Sequence, residues 1–498
     1  MSNYETTLSP PVISHPAHTT EGNENTGTAR TRPPQQTTDD GAVILAAHCS
    51  NVADRAVKLY YEDTPQTTAT TATTSQEAVV FTASSMHDFG KVTPQFQAHV
   101  RPDETHTGSD REKNHARLGA LATWFLLSHA QTTDRDALAG TLAVARHHQA
   151  LPNTATYTVN TLIPAFTGDV IQTQLDAIND TWPDEANELL QRGTTHLQID
   201  TTDFPQDTLW EAFYEWASDD TATRDLRELA GKQELTRTSP APENLPDKTY
   251  DRMLHYWGAL TLADKTHASG TRESRVFNFD TLDINAIDEY VDELRRTPTG
   301  NEHEATLNDE RERARRQAIR GVHEFTTDTT TDVATLTLPT GLGKTLTGLS
   351  AAFETRNTLQ TEDTTPQQII YALPHTSIIE QTRKLFENPE LWGADPEKSA
   401  LTVHHYLSNT VVTENDDATD DVATTDGEHD KLLGEAWRSG TILTTFVQLF
   451  ESITGPTNNS GLKLSSLQNA VIILDEPQAI SKHWWGATNR LFTVLTGI

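Results

Sequence analysis

Residues 335–353 read TLTLPTGLGKTLTGLSAAF, and this stretch decides the fold expected for the second half of the chain. Its first four residues predict a β-strand, residues 339–343 predict a loop, and a helix is expected to begin at Lys344. Glycines at 341 and 343 let the backbone approach a phosphate, and the N–H groups at the helix start form an anion site. Lys344 supplies a cation for β- and γ-phosphates, and Thr345 supplies a hydroxyl for Mg²⁺. The stretch therefore predicts a nucleotide-binding loop, although Leu338 stands where the usual motif has its first glycine.

The sequence after this loop predicts the sheet to which the loop belongs. Short apolar segments, QIIYALP (368–374), GTILTT (440–445) and NAVIILDE (469–476), alternate with helical segments. Strands that end in turns and are followed by helices predict a parallel α/β sheet. Asp475 and Glu476 end the last of these strands. Asp475 could hold Mg²⁺ through water, and Glu476 could orient or deprotonate an attacking water, as phosphoryl transfer requires.

The first half of the chain has a different sequence pattern, which predicts mostly helices. Segments such as NHARLGALATWFLLSHA (114–130) and DRMLHYWGALTLADK (251–265) place apolar residues at helical spacing. Residues 1–40 are rich in Thr, Pro, Glu and Asn and predict a flexible arm. We therefore predict four parts: the arm (1–40), an all-α domain (41–275), a charged linker (276–305) and the α/β lobe (306–498).

A His-Asp pair lies in the stretch SSMHDFGKVTPQF (84–96) of the helical half. Alone, this pair is either a pair of metal ligands or the polar end of a packed helix. Further histidines and an aspartate lie on or beside apolar helical segments, which would turn them toward a shared interior; the full set is His48, His87, Asp88, His115, His147, His148 and Asp264. Imidazole and carboxylate ligands suit divalent Mn, Fe, Co, Ni or Zn. Two such ions would activate a hydroxide for attack on a phosphodiester.

The amino-acid composition indicates the protein's environment more clearly than its function. The 38 Lys and Arg residues against 71 Asp and Glu residues give a net charge of −33, which is typical of a halophilic protein. At molar salt the Debye length is about 3 Å, so this charge argues little against nucleic-acid binding. Cys49 is the single cysteine, which excludes an internal disulfide and a thiolate metal cluster. With no signal peptide or membrane-span pattern, we expect a cytoplasmic protein without a membrane partner.

Four segments of the second half resemble the motifs of superfamily 2 helicases. GLGKT (341–345) and DEPQ (475–478) resemble motifs I and II, while IIYALPHTSIIEQT (369–382) and TILTTFVQLFESI (441–453) resemble motifs that contact a nucleic-acid strand. The resemblance implies a RecA-like lobe that binds ATP with Mg. It implies a nucleotide site of Thr340, Gly341, Gly343, Lys344, Thr345 and Asp475, a catalytic Glu476, and a strand-binding track of Pro374, Thr376, Gln381, Thr444, Thr445 and Gln448.

The order of the histidines resembles that of the HD phosphohydrolases. HDFGKVTPQFQ (87–97), the later His-His pair and a helicase lobe on one chain resemble, more narrowly, the type I CRISPR-associated helicase-nucleases. The resemblance implies one divalent ion (Mn, Ni, Co, Fe or Mg) on His48, His87, Asp88 and Asp264, and a second on His115, His147 and His148. It implies that Lys91 contacts the scissile phosphate. The implied substrate is single-stranded DNA, cleaved during ATP-dependent 3′ to 5′ translocation, and the implied partner is the crRNA-guided surveillance complex.

Two other functions stay open from the residues. One is an HD phosphohydrolase that acts on nucleotides and is fused to an unrelated P-loop domain; the strand-binding motif weighs against it. The other is a DNA-binding or nuclease-only fragment without motor activity. The second lobe of a helicase would begin after the DEPQ strand, where this chain stops at Ile498. From the sequence we therefore expect a fragment of a longer protein or a truncated product with an incomplete ATPase.

Overall fold

The described chain forms two compact units. The computed structural model describes residues 44–62, 71–100, 108–198, 206–219, 221–229, 249–296, 302–328, 332–359, 368–392, 400–404, 425–455, 457–468, 470–486, 488–489 and 492. The first unit contains residues 44–61, 71–272 and 457–465, and the second contains residues 273–455 and 466–492. The predicted N-terminal arm lies outside the described residues.

The first unit is helical. Its helices are α1 (Leu45–Glu62), α2 (Thr71–Met86), α3 (Pro94–Val100), α4 (Ala116–Ser128), α5 (Asp134–Ala145), α6 (Thr154–Tyr157), α7 (Ile163–Phe166), α8 (Asp169–Thr181), α9 (Pro183–Gly193), α10 (Leu209–Ser218), α11 (Thr221–Leu229) and α12 (Thr249–Ala268). A π-helical turn, Thr158–Leu162, joins α6 to α7, and 3₁₀ turns form at Phe89–Val92, Asp110–Lys113 and Gln206–Thr208.

The core of this unit is built by helices that are apolar on nearly every face. Residues 118–127 of α4 and 136–145 of α5 are buried without interruption, which is the pattern of central helices. Gly140 lets α5 pack closely, since a Cβ there would lie 3.0 Å from Val79 of α2 and 3.1 Å from Leu127 of α4. These central helices carry or flank the histidines. None of the helices within the described ranges has the length and apolarity that a membrane crossing needs.

The second unit is an α/β lobe. Its helices are α13 (Glu273–Phe277), α14 (Ile284–Arg296), α15 (Glu302–Thr327), α16 (Lys344–Leu359), α17 (Thr376–Phe386), α18 (Pro389–Trp392), α19 (Thr425–Glu435) and α20 (Phe446–Thr454). Its strands are β1 (Ile369–Leu373), β2 (Leu401–His404), β3 (Thr441–Thr445) and β4 (Val471–Leu474). Between α20 and β4 lie α21 (Asn458–Gly461), which belongs to the first unit, and α22 (Leu464–Leu467).

The sheet is parallel throughout, with the order β2-β3-β1-β4. Every residue of β1 and β3 is buried, as expected for central strands covered on both faces. The register pairs Leu373 with Thr445, so both strands end at one edge. The predicted fold class, an all-α HD-type domain followed by a RecA-like parallel α/β lobe, is confirmed in its helical and parallel α/β parts.

Two local features differ from the sequence pattern. Residues 335–338, predicted as a strand, pair with no strand among the described residues, and Leu336 is 41% exposed. The strand prediction is wrong there because an alternating Thr-Leu run forms a strand only when it can pair with a neighbouring strand. The local pattern does not show whether such a partner is present. Helix α14 lies in the predicted linker, where its Ile287 and Val291 join the core of the lobe. The domain boundaries themselves stay predictions.

Candidate functional site

Three helices of the first unit bring four predicted ligands together. His48 lies in the first turn of α1, His87 and Asp88 directly follow α2, and Asp264 lies in α12. The His48 Nε2 atom is 3.3 Å from Asp88 Oδ2 and 3.2 Å from Asp264 Oδ1. The His87 Nε2 atom is 3.3 Å and 3.6 Å from the same two oxygens. All four residues are buried, and one potential ligand atom of each lies within 4.8 Å of the others.

A second group of potential ligands lies on the other side of Asp88. His115 directly precedes α4, and His147 and His148 lie in the turn after α5. The Asp88 Oδ1 atom is 3.2 Å from His115 Nε2 and 3.8 Å from His147 Nε2. His148 Nε2 lies 3.1 Å from His115 Nε2. Asp88 is thus shared, with one oxygen facing each group, whereas the family resemblance implies Asp88 in the first group alone.

Backbone carbonyls fix the direction of two of these imidazoles. His87 Nδ1 donates to the Ser84 carbonyl, and His147 Nδ1 donates to the Val144 carbonyl, each at 2.7 Å. With Nδ1 donating to a carbonyl, Nε2 is the ring nitrogen that faces the carboxylates. Such partners set the tautomer and the ring orientation of metal-binding histidines.

His267 is a neighbour of the site that sequence reasoning missed. Its Nδ1 atom lies 2.8 Å from His48 Nδ1, and the residue is nine-tenths buried or more. It follows Asp264 by three residues in α12, so both occupy one helix face. That spacing was the sequence signal that could have identified His267. In the structure His267 contacts Nδ1 of His48, while Nε2 of His48 faces the carboxylates.

The donor set fits a pair of divalent cations. The Nε2 atoms of His87 and His147 are buried, and their contacts with the carboxylates lack hydrogen-bond geometry. Buried polar atoms normally have a hydrogen-bond partner, so atoms oriented together without one point to a ligand between them. Nitrogen and oxygen donors in this number suit borderline divalent metals.

The electrostatics of the groups fit the same interpretation. Burial alone would raise the pKa of Asp88, but His87 and Lys91 lower it, and the net pKa lies well below the usual range. Burial lowers the pKa of His115 to about 3 and takes that of His147 well below its usual range. Ionised carboxylates and neutral imidazoles are the forms that bind metals. His87 differs: burial lowers its pKa, but Asp88 and Asp264 outweigh it and raise the pKa to about 10.

Lys91 lies at the centre of this arrangement. It belongs to the 3₁₀ turn Phe89–Val92, is 4% exposed, and its Nζ atom lies 2.7 Å from Asp88 Oδ2. Gln97 Nε2 donates to the Lys91 carbonyl at 2.7 Å and fixes the turn. The turn also lies against α4, because a Cβ at Gly90 would be 2.5 Å from the His115 carbonyl oxygen. Glycine at 90 therefore allows the approach of Asp88 to His115.

A groove of about 310 Å³ opens beside the second group. Its lining includes His115 and the exposed His148, together with Phe96 and Lys113. A ligand in this groove would reach the second group from solvent, past an aromatic ring and a cation. Neither Phe96 nor Lys113 was predicted as a site residue.

The predicted nucleotide loop lies in the second unit, where Gly341 and Gly343 adopt φ of 89° and 70°. Both values favour glycine. Arg311 of α15 donates through Nε to the Gly341 carbonyl at 2.8 Å and holds the loop. Thr340 is exposed beside the glycines, and Thr345 follows Lys344 in the first turn of α16.

The acidic pair at the end of β4 lies close to this loop. Lys344 Nζ lies 2.5 Å from Glu476 Oε1, and this contact raises the pKa of Lys344 and lowers that of Glu476. The Tyr371 hydroxyl of β1 donates to Asp475 Oδ2 at 2.8 Å. The two halves of the predicted nucleotide site therefore meet at one edge of the sheet.

The predicted strand-binding residues lie at or just after the ends of β1 and β3, on the same side of the sheet. Thr445 caps α20 by accepting a hydrogen bond from the Gln448 N–H at 3.2 Å, and Thr444 donates to the His404 carbonyl at 2.9 Å. Both threonines are buried and have structural partners. Gln381 is exposed on α17, and Pro374 and Thr376 are half-buried where β1 leads into that helix. Their contact with a nucleic acid stays a prediction.

Comparison with known proteins gives two family matches. Residues 30–226 match the family described as "Cas3, HD domain", and residues 298–490 match the family described as "Type III restriction enzyme, res subunit". The chain is 53% identical over 492 residues to the CRISPR-associated nuclease/helicase Cas3 of Haloferax volcanii. That alignment covers 98% of this chain and 49% of the relative, so the chain spans about half the length of the curated relative it matches.

Solved structures agree on the fold. The chain superposes on T. fusca Cas3 with AMPPNP at a TM-score of 0.51 and 14% identity, covering 91% of this chain and 47% of that one. T. fusca Cas3 with ADP gives a TM-score of 0.50 and 15% identity, covering 98% and 49%. At these identities the likeness supports the arrangement of helices and strands alone.

Proposed function

We propose, from the chain's membership of the Cas3 nuclease-helicase family, that it is a metal-dependent DNA nuclease joined to the first lobe of an ATP-driven motor. The observation that carries the nuclease half is the position of Asp88, whose two oxygens face two separate groups of buried ligands. A shared carboxylate of this kind suits two cations held close together. Such pairs clamp the attacking and leaving oxygens of a phosphodiester.

Each side chain then has a defined task in strand cleavage. His48, His87 and Asp264 would hold one ion, His115, His147 and His148 the other, and Asp88 both. When bound, two divalent ions would activate water and neutralise charge at the scissile phosphate. Lys91, held by Asp88 at 2.7 Å, adds a cation that is nearly free of water screening. The groove beside His148 would admit the DNA strand.

In the lobe, the Lys344–Glu476 ion pair would break when nucleotide binds. Lys344 would turn to the β- and γ-phosphates of ATP, which frees Glu476 to orient the attacking water. Asp475, fixed by the Tyr371 hydroxyl, would hold Mg²⁺. The loop of Thr340, Gly341 and Gly343 offers N–H groups to the phosphates, and the Thr345 hydroxyl adds a ligand for Mg²⁺.

The substrate we propose is single-stranded DNA that moves 3′ to 5′. Its backbone would lie along the carboxyl ends of β1 and β3, beside Pro374, Thr376 and Gln381 after β1 and Gln448 after β3. The buried Thr444 and Thr445, which end β3, would position this track. The register that brings Leu373 opposite Thr445 supports one continuous track. The proposed role is CRISPR interference in the cytoplasm, on DNA opened by a crRNA-guided type I surveillance complex whose base pairing reads the sequence.

The test measures two activities on one protein preparation at high salt. Cleavage of circular single-stranded DNA is followed with Mn²⁺, and ATP binding is followed with a fluorescent analogue. Asp88→Ala is expected to abolish cleavage and keep ATP binding, whereas Lys344→Ala is expected to weaken ATP binding roughly 10- to 100-fold and keep cleavage. Unchanged cleavage by Asp88→Ala would contradict the metal-site proposal.

The same preparation separates the alternative functions. Metal-dependent release of phosphate from free nucleotides without cleavage of circular DNA would favour the HD nucleotide phosphohydrolase. Cleavage with ATPase near zero would identify a nuclease-only chain. The open groove favours DNA over a free nucleotide, since small-molecule sites bury most of their ligand.

A further inference from the structure

A short segment that follows α20 packs within the first unit. The chain leaves the lobe after Gly455 and rejoins it at Ser466, and residues 457–465 belong to the helical unit. Their contact with α12 is tight on both sides. A Cβ at Gly461 would lie 2.4 Å from the Trp257 ring, and a Cβ at Gly258 would lie 2.7 Å from Leu464 Cβ. This interlocking leaves little room for the segment to shift without breaking its packing.

The segment reaches the turn that carries two of the predicted ligands. Asn458 Nδ2 donates to the His147 carbonyl at 3.1 Å. The neighbouring Arg146 carbonyl accepts from Trp257 Nε1 at 2.9 Å, and Trp257 is the side chain against which Gly461 packs. Two successive carbonyls of this turn are therefore held by Asn458 and by Trp257.

We propose that Asn458 is a positioning residue for the second metal-binding group. Its amide fixes the His147 peptide, and this peptide sets the directions of the His147 and His148 imidazoles toward Asp88 and His115. The inference rests on the proposed metal-dependent nuclease. It adds that the affinity of the second ion depends on a segment contributed by the helicase half of the sequence.

In the chain, the segment lies between two elements of the proposed DNA and nucleotide sites. The segment follows α20, whose start carries Thr445 and Gln448 of the proposed DNA track, and it precedes β4, which leads to Asp475 and Glu476. Asn458 lies four residues after the end of α20 and 13 residues before the start of β4. We expect the effect at the second group, because Asn458 bonds the His147 peptide, whereas of the first-group ligands only Asp264 lies on α12, the helix that the segment contacts.

The experiment titrates Mn²⁺ into the metal-free full chain by calorimetry and by electron paramagnetic resonance. Asn458→Asp keeps the shape of the side chain but replaces the donor by an acceptor. We expect the Mn²⁺ equivalent that His148→Ala removes, which identifies the second group, to lose roughly tenfold in affinity, the usual size for an outer partner of a metal ligand. The control is Asn459→Asp, because Asn459 Oδ1 accepts from Lys265 Nζ at 3.3 Å and an aspartate keeps that role.

Two further measurements distinguish positioning from general damage. Hydrogen exchange in the metal-free protein should be faster at His148 and Gln149 in Asn458→Asp and unchanged in the control. In a His148→Ala background, Asn458→Asp should weaken Mn²⁺ binding no further. Equal weakening of both Mn²⁺ equivalents, or no weakening, would overturn the proposal. If the wild-type chain bound no Mn²⁺, the proposed function would fail instead, and the two failures are thus distinct.

Discussion

Gly90→Ala tests whether the close approach of two backbone segments builds the shared carboxylate. Gly90 lies two residues after Asp88, in the turn that packs on the start of α4. A Cβ there would lie 2.5 Å from the His115 carbonyl oxygen, 2.7 Å from its Cα and 3.0 Å from its carbonyl carbon. All three neighbours are backbone atoms, so no side chain can rotate away to make room.

The size of the effect follows from these distances. The shortest contact falls about 0.9 Å below the 3.4 Å at which ordinary Cβ contacts begin. The turn and α4 must separate by a comparable amount, which lengthens the 3.2 Å approach of His115 Nε2 to Asp88 Oδ1. Overpacking of this kind costs about 1–3 kcal/mol of the free energy of unfolding. We expect the second Mn²⁺ equivalent to weaken by roughly tenfold or more.

The assay combines urea unfolding of the metal-free protein with Mn²⁺ titration. Gly321→Ala is the matched control, since a Cβ at this position of α15 meets nothing within 4 Å. An alanine there should leave stability unchanged or raise it by up to about 1 kcal/mol. Wild-type Mn²⁺ affinity in Gly90→Ala, with stability equal to that of the control, would refute the packing argument.

Three further predictions concern the two sites. Lys344→Ala should weaken binding of a fluorescent ATP analogue roughly 10- to 100-fold through loss of a charged hydrogen-bond donor, with Mn²⁺-dependent DNA nicking retained; loss of both activities would contradict separable sites. Tyr371→Phe removes the hydroxyl that donates to Asp475 and should cost about 1 kcal/mol in urea unfolding, together with weaker Mg²⁺-dependent ATP binding; ATP binding equal to wild type at limiting Mg²⁺ would count against that role of Asp475. Because the pKa of His87 is raised to about 10, metal binding near neutral pH must displace its proton, so affinity should rise with pH by about tenfold per unit. Calorimetry in buffers of different ionisation enthalpy should then show about one proton released when the first group binds its ion, and release of none would oppose His87 as a ligand.

Much of the fold was readable because its signals are local. The loop before α16 depends on adjacent glycines and a lysine, and the structure gives both glycines the positive φ that only such residues adopt easily. The parallel lobe followed from apolar runs separated by helices. The prediction of a strand at 335–338 was wrong because a strand forms only beside a partner strand, and the local pattern of Thr and Leu does not say whether one is present.

The set of candidate ligands followed from residue type and position beside apolar helices, and the family resemblance implied its division into two groups. The connection between the groups was not predicted. The sharing of Asp88 depends on the orientation of one carboxylate between α1, α4 and α12, and no spacing in the sequence encodes that orientation. His267 was missed for the opposite reason: its spacing from Asp264 is a helical signal, but an isolated histidine three residues later carries no distinguishing chemistry.

Asn458 shows where sequence reasoning lacks information altogether. It is 311 residues from His147, lies in a polar TNNS run, and has no motif around it. Its role arises because α21 packs on α12, and that packing requires glycine at 258 and at 461, two positions that look like ordinary helix breakers in sequence. A contact of this separation is costly in chain entropy and is kept when the packing around it is close. The paired glycines can therefore be tested directly. Gly461→Ala should weaken Mn²⁺ binding at the second group as expected for Asn458→Asp, although it leaves the amide donor intact.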